Sequence, residues 1–160
     1  MPQGVQKPSN QILAMEMSKT CVLEMEIGAN ATAAKMLPGR VVIFDDADQT
    51  VKEAGAAAQG VVGILEVDPA GKKTDAYAVG DQAKLIVGEA LVVGTLLASE
   101  NVSRGDALVC AADGKLAKLA VAAVGSQGDI VGYSWEASNV TVDAEILVHW
   151  KPSLEAAAVA

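Results

Sequence analysis

The chain has 160 residues, room for one domain with tails, and 51% of them are hydrophobic, so a core is available. Aromatics make up only 3%, so Val, Leu, Ile and Ala must fill that core, and small side chains bury less area each. A net charge of −8, with no cluster of Lys and Arg, excludes direct binding to nucleic-acid phosphates.

Residues 1–11 (MPQGVQKPSNQ) are polar, with no apolar core of the signal-peptide type. They read as an extended arm, and ILAMEMSK (12–19) reads as either its continuation or a short helix. CVLEMEI (21–27) alternates, with Val22, Glu24 and Glu26 on one face and Leu23, Met25 and Ile27 on the other. That is the period of a half-buried strand. PGR (38–40) is a turn signal and VVIFD (41–45) a short strand. VKEAGAAAQ (51–59) is ambiguous, since its alanines favour helix while Gly55 opposes it.

VVGILEV (61–67) reads as a strand and DPAGKKT (68–74) as a loop. The run YAVGDQAKLIVGEALVVGTL (77–96) is too interrupted by glycine for a buried helix. It reads as two short strands, or one strand bent at Gly88–Glu89. DALVC (106–110) is a strand, and Asp113-Gly114 suits a type I′ hairpin turn. LAKLAVAAV (116–124) is a second ambiguous segment, IVGYSWEA (130–137) a strand, and VTVDAEILVHW (140–150) a strong final strand. No apolar run reaches the 18 residues of a membrane span.

Short strands with turn signals every 8–15 residues indicate an all-β fold. The expectation is a small sandwich or barrel over 21–150, an extended N-terminal arm over 1–20, a tail over 151–160, and at most one or two short helices.

The candidate chemistry is sparse. Cys21 and Cys110 sit in apolar strand-like runs and read as buried free thiols, with a disulfide between them left open. The one histidine, His149, lacks a Cys/His set for zinc and has no GxSxG serine in sequence to serve. GKKT (71–74) fails as a phosphate loop, because Glu66 stands where the first glycine belongs and Lys73 separates Lys72 from Thr74. AMEM (14–17) has the frame of a biotin-carrier tetrapeptide, but Glu16 replaces the modified lysine. Asp45, Asp46 and Asp48 lack the central glycine of a calcium loop. Arg104-Gly105-Asp106 spells an adhesion tripeptide, with Gly105 reading as a turn into DALVC. The residues therefore point to no cofactor, no metal site and no enzymatic activity. Trp135 and Trp150 are two of five aromatics. Such residues are enriched at interfaces, and a core role for at least one stays equally open.

The order of segments carries a resemblance. PGRVVIF, GVVGILE, TDAYAVGDQAKLIVGEALVVG, VSRGDALVCAADGKL and IVGYSWEASNVTVDAEILVHW resemble the small capsid decoration (cement) proteins of tailed phages and related viruses. They are similar in particular to a phage family often mislabelled as a RecA/RadA-like recombinase. The likeness covers about residues 38–150 and rests on Gly80-Asp81 through Gly88, Gly105-Asp106 through Leu116, and Ile130 through Val148. Ser138-Asn139 stands where a glycine often precedes the last strand.

The resemblance implies a non-enzymatic β-rich protein on the exterior of a virion, made in the host cytoplasm. It would bind the assembled shell of a major capsid protein, commonly as a homotrimer at three-fold or quasi-three-fold positions, without nucleic acid or membrane as partner. On that reading the arm touches the shell through Gln3, Val5, Ile12, Leu13, Met15 and Met17, and Trp135 and Trp150 serve the subunit interface. The alternatives are a trimeric tail-fibre, baseplate or surface-adhesion module using Arg104-Gly105-Asp106, and a small metal-dependent enzyme built from Asp45, Asp46, Asp48 and His149.

Overall fold

The computed structural model describes residues 6–120 and 129–152. These hold eleven strands: β1 (Leu13–Glu16), β2 (Cys21–Ile27), β3 (Val41–Phe44), β4 (Thr50–Glu53), β5 (Val61–Leu65), β6 (Gln82–Val87), β7 (Ala90–Leu96), β8 (Ala107–Cys110), β9 (Leu116–Lys118), β10 (Ile130–Ser134) and β11 (Ala144–Trp150). Two three-residue 3-10 turns, Ala33–Lys35 and Ala112–Gly114, are the helical content of the described residues. The all-β expectation holds.

The strands form two closed rings. One runs β2-β4-β3-β5-β6. The other sheet runs β1-β7-β11-β10-β8-β9, and β9 returns to β7 through Leu96 and Leu116. β7, β11, β10, β8 and β9 thus close a second ring, with β1 laid along the first half of β7.

Two-sided burial explains why several strands read as unbroken apolar runs. In β3, Val41 packs in the larger core cluster and Val42 in the smaller; in β5, Ile64 and Leu65 divide the same way. Successive side chains point to opposite faces, so a strand lying between two cores needs apolar residues at every position. The larger cluster joins the rings, combining Val41, Ile64 and Ile86 of the first with Leu91, Val148 and Trp150 of the second.

The turns follow the local sequence. The bend inside 77–96 falls at Gly88, whose φ is 76°, and strands stand on both sides of it. Asp113 and Gly114 both take positive φ, 61° and 68°, as a type I′ hairpin requires.

Two segments left ambiguous by the sequence resolve as strand where they are described, and a third differs from expectation. In VKEAGAAAQ, residues 51–53 belong to β4, with Val51 fully buried opposite Phe44, while the alanines that favour helix follow the strand in turn and irregular backbone. In LAKLAVAAV, residues 116–118 form β9, while 121–124 lie outside the described residues.

The N-terminal segment is the third. From Lys7 onward it is fastened to the body rather than standing off as an arm. Lys7 Nζ meets Glu136 Oε1 at 2.8 Å and donates to the Glu145 carbonyl at 3.0 Å. Asn10 bonds Gly71 and Lys73. The Glu66 carboxylate accepts the Ile12 and Leu13 N–H groups at 2.6 and 2.8 Å. Of the 151–160 tail, only 151–152 are described.

Candidate functional site

The aromatic residues organise the exposed surfaces of the described residues. Phe44, at the end of β3, is 60% exposed; Tyr133 on β10 is 40% and Trp135 just beyond it 42% exposed. Tyr77 is buried and its hydroxyl donates to the Glu66 carbonyl at 2.6 Å. Trp150 is fully buried in the larger core, and its Nε1 has no hydrogen-bond partner among the described residues. The expectation that Trp150 serves a subunit interface is therefore corrected: it fills the second ring, opposite Gly132. Trp135 keeps an accessible ring.

Around Trp135 the geometry is specific. Tyr133 stands opposite His149 in the β10–β11 register, so both side chains lie on one face. His149 Nε2 is 2.7 Å from Glu89 Oε1. The ring planes of Trp135 and His149 stand at 89° to each other in a T-shaped contact, with centroids 6.2 Å apart. The hydrogen bond from His149 draws the Glu89 carboxyl below its ordinary range. Glu89 follows the Gly88 bend, and its carbonyl also accepts the Thr20 hydroxyl at 2.6 Å. The pair thus fixes the ring orientation of His149 and pins the β6–β7 turn to the last strand.

The acidic turn after β3 is internally satisfied. Asp45 accepts the Asn30 backbone N–H and side-chain amide, each at 2.9 Å, and faces Lys52 Nζ at 3.3 Å. The Asn30 hydrogen bonds, side chain first, pull the Asp45 carboxyl down to about 2. Asp46 accepts the same Asn30 amide at 3.0 Å. Among the described residues no three His, Cys, Asp or Glu side chains are placed to hold a metal ion. His149 is engaged with Glu89 rather than with the aspartates.

The Arg104-Gly105-Asp106 turn is likewise occupied. Gly105 takes a φ of 89°. Asp106 accepts the Ser103 N–H and meets Lys118 Nζ, both at 2.8 Å. The Lys118 contact leads in holding its carboxyl low. Arg104 Nε donates to the Trp135 carbonyl at 3.2 Å.

Of the expected shell-contact residues, Gln3 and Val5 lie outside the described residues. Ile12 is 1% exposed and belongs to the larger core, so no partner can reach its side chain, which corrects that expectation. Leu13 and Met17 are half-buried against the same core, and Met15 is exposed.

The cysteines differ from each other. Cys110 is buried, which pushes its thiol up to about 12, whereas Cys21 is exposed and free. Cys21 opens a surface that alternation did not reveal. Val22 and Leu23 are 46% and 44% exposed although they point to opposite faces of β2. The available signal was the pair of glutamates at 24 and 26. An overhanging strand cannot be told from a half-buried one by period alone.

No protein-family model and no curated protein matches the chain. Among solved structures, the N base of head fiber gp8.5 in bacteriophage phi29 is similar. It is 15% identical with a TM-score of 0.47, over 85% of this chain and 98% of that chain. That likeness is distant, and no function is carried over from it.

Proposed function

We propose that the chain is a non-catalytic structural protein of a phage virion that binds the exterior of an assembled capsid shell and stabilises it, as a homotrimer whose partner is the major capsid protein. The observation that carries the reading is the placement of the aromatics. A chain with only five of them leaves Phe44, Tyr133 and Trp135 at 40% exposure or more. Burying those rings would bring the largest gain to a core this poor in aromatics, whereas interfaces concentrate Trp, Tyr and Phe as binding anchors. The order of glycine-marked segments from 38 to 150 supports the same reading by resemblance.

A protein that binds the intact shell and not its separated subunits stabilises each site by RT ln(1 + [L]/Kd). Repetition over many sites makes a modest affinity effective. The test is to add purified protein to expanded shells of the parent virus and follow co-sedimentation and shell melting. Binding with a raised melting temperature is expected. Failure to bind any form of the shell overturns the proposal. The adhesion alternative is less well supported, since the Asp106 carboxylate it needs is held by Lys118 and Ser103.

A further inference from the structure

β2 is longer than its ring requires. Residues 21–26 pair with 82–87 of β6 along one edge, six pairs without a bulge. β4 reaches the other edge only at Glu26 and Ile27. Among the described residues, 21–25 therefore have no strand partner on one edge, and Cys21, Val22, Leu23 and Glu24 are all exposed. Five extended residues span roughly 17 Å, an ordinary strand length.

Folded proteins blunt such edges with charged side chains, lysine above all, with proline or with a bulge. CVLEM has no lysine, proline or bulge, and Glu24 is its one charge. The edge instead combines exposed Val22 and Leu23 with carboxylates. Glu24 and Glu26 project to one face, and among the described residues neither closes an ion pair. Lys84 lies across from Glu24 in register without closing one either.

We infer that the 21–25 edge is a docking site for an extended segment of a partner protein, added as a strand. That segment carries Lys or Arg opposite Glu24, within diagonal reach of Glu26, and apolar residues toward Leu23. Main-chain hydrogen bonds would supply affinity and the alternating side chains specificity. Charge complementarity selects the occupant: opposite charges across a strand pair attract, and like charges directly opposite repel. A second copy would set one acidic face beside another on chains that each carry −8. The inference does not depend on the capsid reading, because it names the chemistry of the segment and not its source.

The test titrates the full chain with two capped heptapeptides, one alternating Val and Lys, the other alternating Val and Glu. Hydrogen exchange reads the amides of residues 21–25 that face away from β6. The Val-Lys peptide is expected to bind and slow that exchange, and the Val-Glu peptide to do neither. The double variant Glu24→Lys, Glu26→Lys should weaken Val-Lys binding by about tenfold or more and favour Val-Glu. Both positions are exposed, and an unchanged melting temperature verifies that the variant folds. Equal Val-Lys binding by the variant, binding without protection at 21–25, or self-association that protects those amides without peptide would each overturn the inference.

Discussion

Replacing Glu66 with Gln should release the first strand without unfolding the rest. One carboxylate oxygen accepts the N–H groups of Ile12 at 2.6 Å and Val67 at 2.7 Å, and the other accepts Leu13 at 2.8 Å. A glutamine side chain has one acceptor oxygen and one NH2 group. In either orientation the NH2 faces at least one N–H donor, and the remaining bonds lose the help of the negative charge. A hydrogen bond to an ionised group contributes about 1.5–3 kcal/mol, and its neutral counterpart about half that. The combined loss is about 3 kcal/mol. At about 1.4 kcal/mol per tenfold, β1 should open roughly a hundredfold more often. Native-state hydrogen exchange reads this directly at Ile12, at Leu13, and at Val93, whose N–H donates to the Ile12 carbonyl at 2.8 Å. Glu145→Gln is the control, since its contact to Lys73 at 3.3 Å involves a carboxylate 54% exposed and should matter by about 0.5 kcal/mol or less. Unchanged exchange at Val93 in Glu66→Gln would refute the reasoning.

Other consequences are as direct. Gly88→Ala should destabilise the chain by about 3 kcal/mol in denaturant melts. It places a side chain at a φ of 76°, which costs about 1–2 kcal/mol, and its Cβ would collide with the Lys19 carbonyl oxygen. Asp45 has a folded pKa of about 2 against an ordinary 3.8. Its contribution is therefore complete at neutral pH and is lost as pH falls from about 4 through about 2; Asp45→Asn should flatten the stability profile in that window. A thiol reagent should label one cysteine, Cys21, in the native protein and two after unfolding, because Cys110 is buried with its thiol pushed up to about 12; two native labels would contradict that burial. Phe44→Ser with Trp135→Ala should leave the melting temperature within a few degrees while lowering shell binding at least tenfold, and unchanged binding would remove the main support for the proposed function.

Where a local rule fixes the backbone, the sequence was legible. Asp113-Gly114 takes the φ values its turn type needs, and the Gly88–Glu89 bend divides two strands. Val41–Phe44 was recognisable because β-branched residues follow a Pro-Gly turn. Illegible were the features that depend on distant chain. Ile12 looks like arm until Val93 and Glu66 are brought to it. Trp150 reads equally as an interface or a core residue until the larger core assembles around it. Val22 and Leu23 alternate as a half-buried strand should, and only the shortness of the β2–β4 contact leaves both open. The engagement of Asp45 by Asn30, fifteen residues earlier in the chain, has no signature in DDADQT itself.

The strand order also sets a timetable for synthesis. Every strand of the first ring lies between residues 21 and 87, so that ring can close while the rest of the chain is still being made. The second ring cannot, because β11, at residues 144–150, sits between β7 and β10. Until it emerges, β7 lacks a neighbour on that edge across Ala90–Leu96, a run with five apolar residues among its seven besides Gly94 and Thr95. Such a transient edge invites pairing with other nascent chains. Crowded synthesis at low temperature, where the last strand arrives slowly, is therefore the condition under which yield of the native double ring should suffer most.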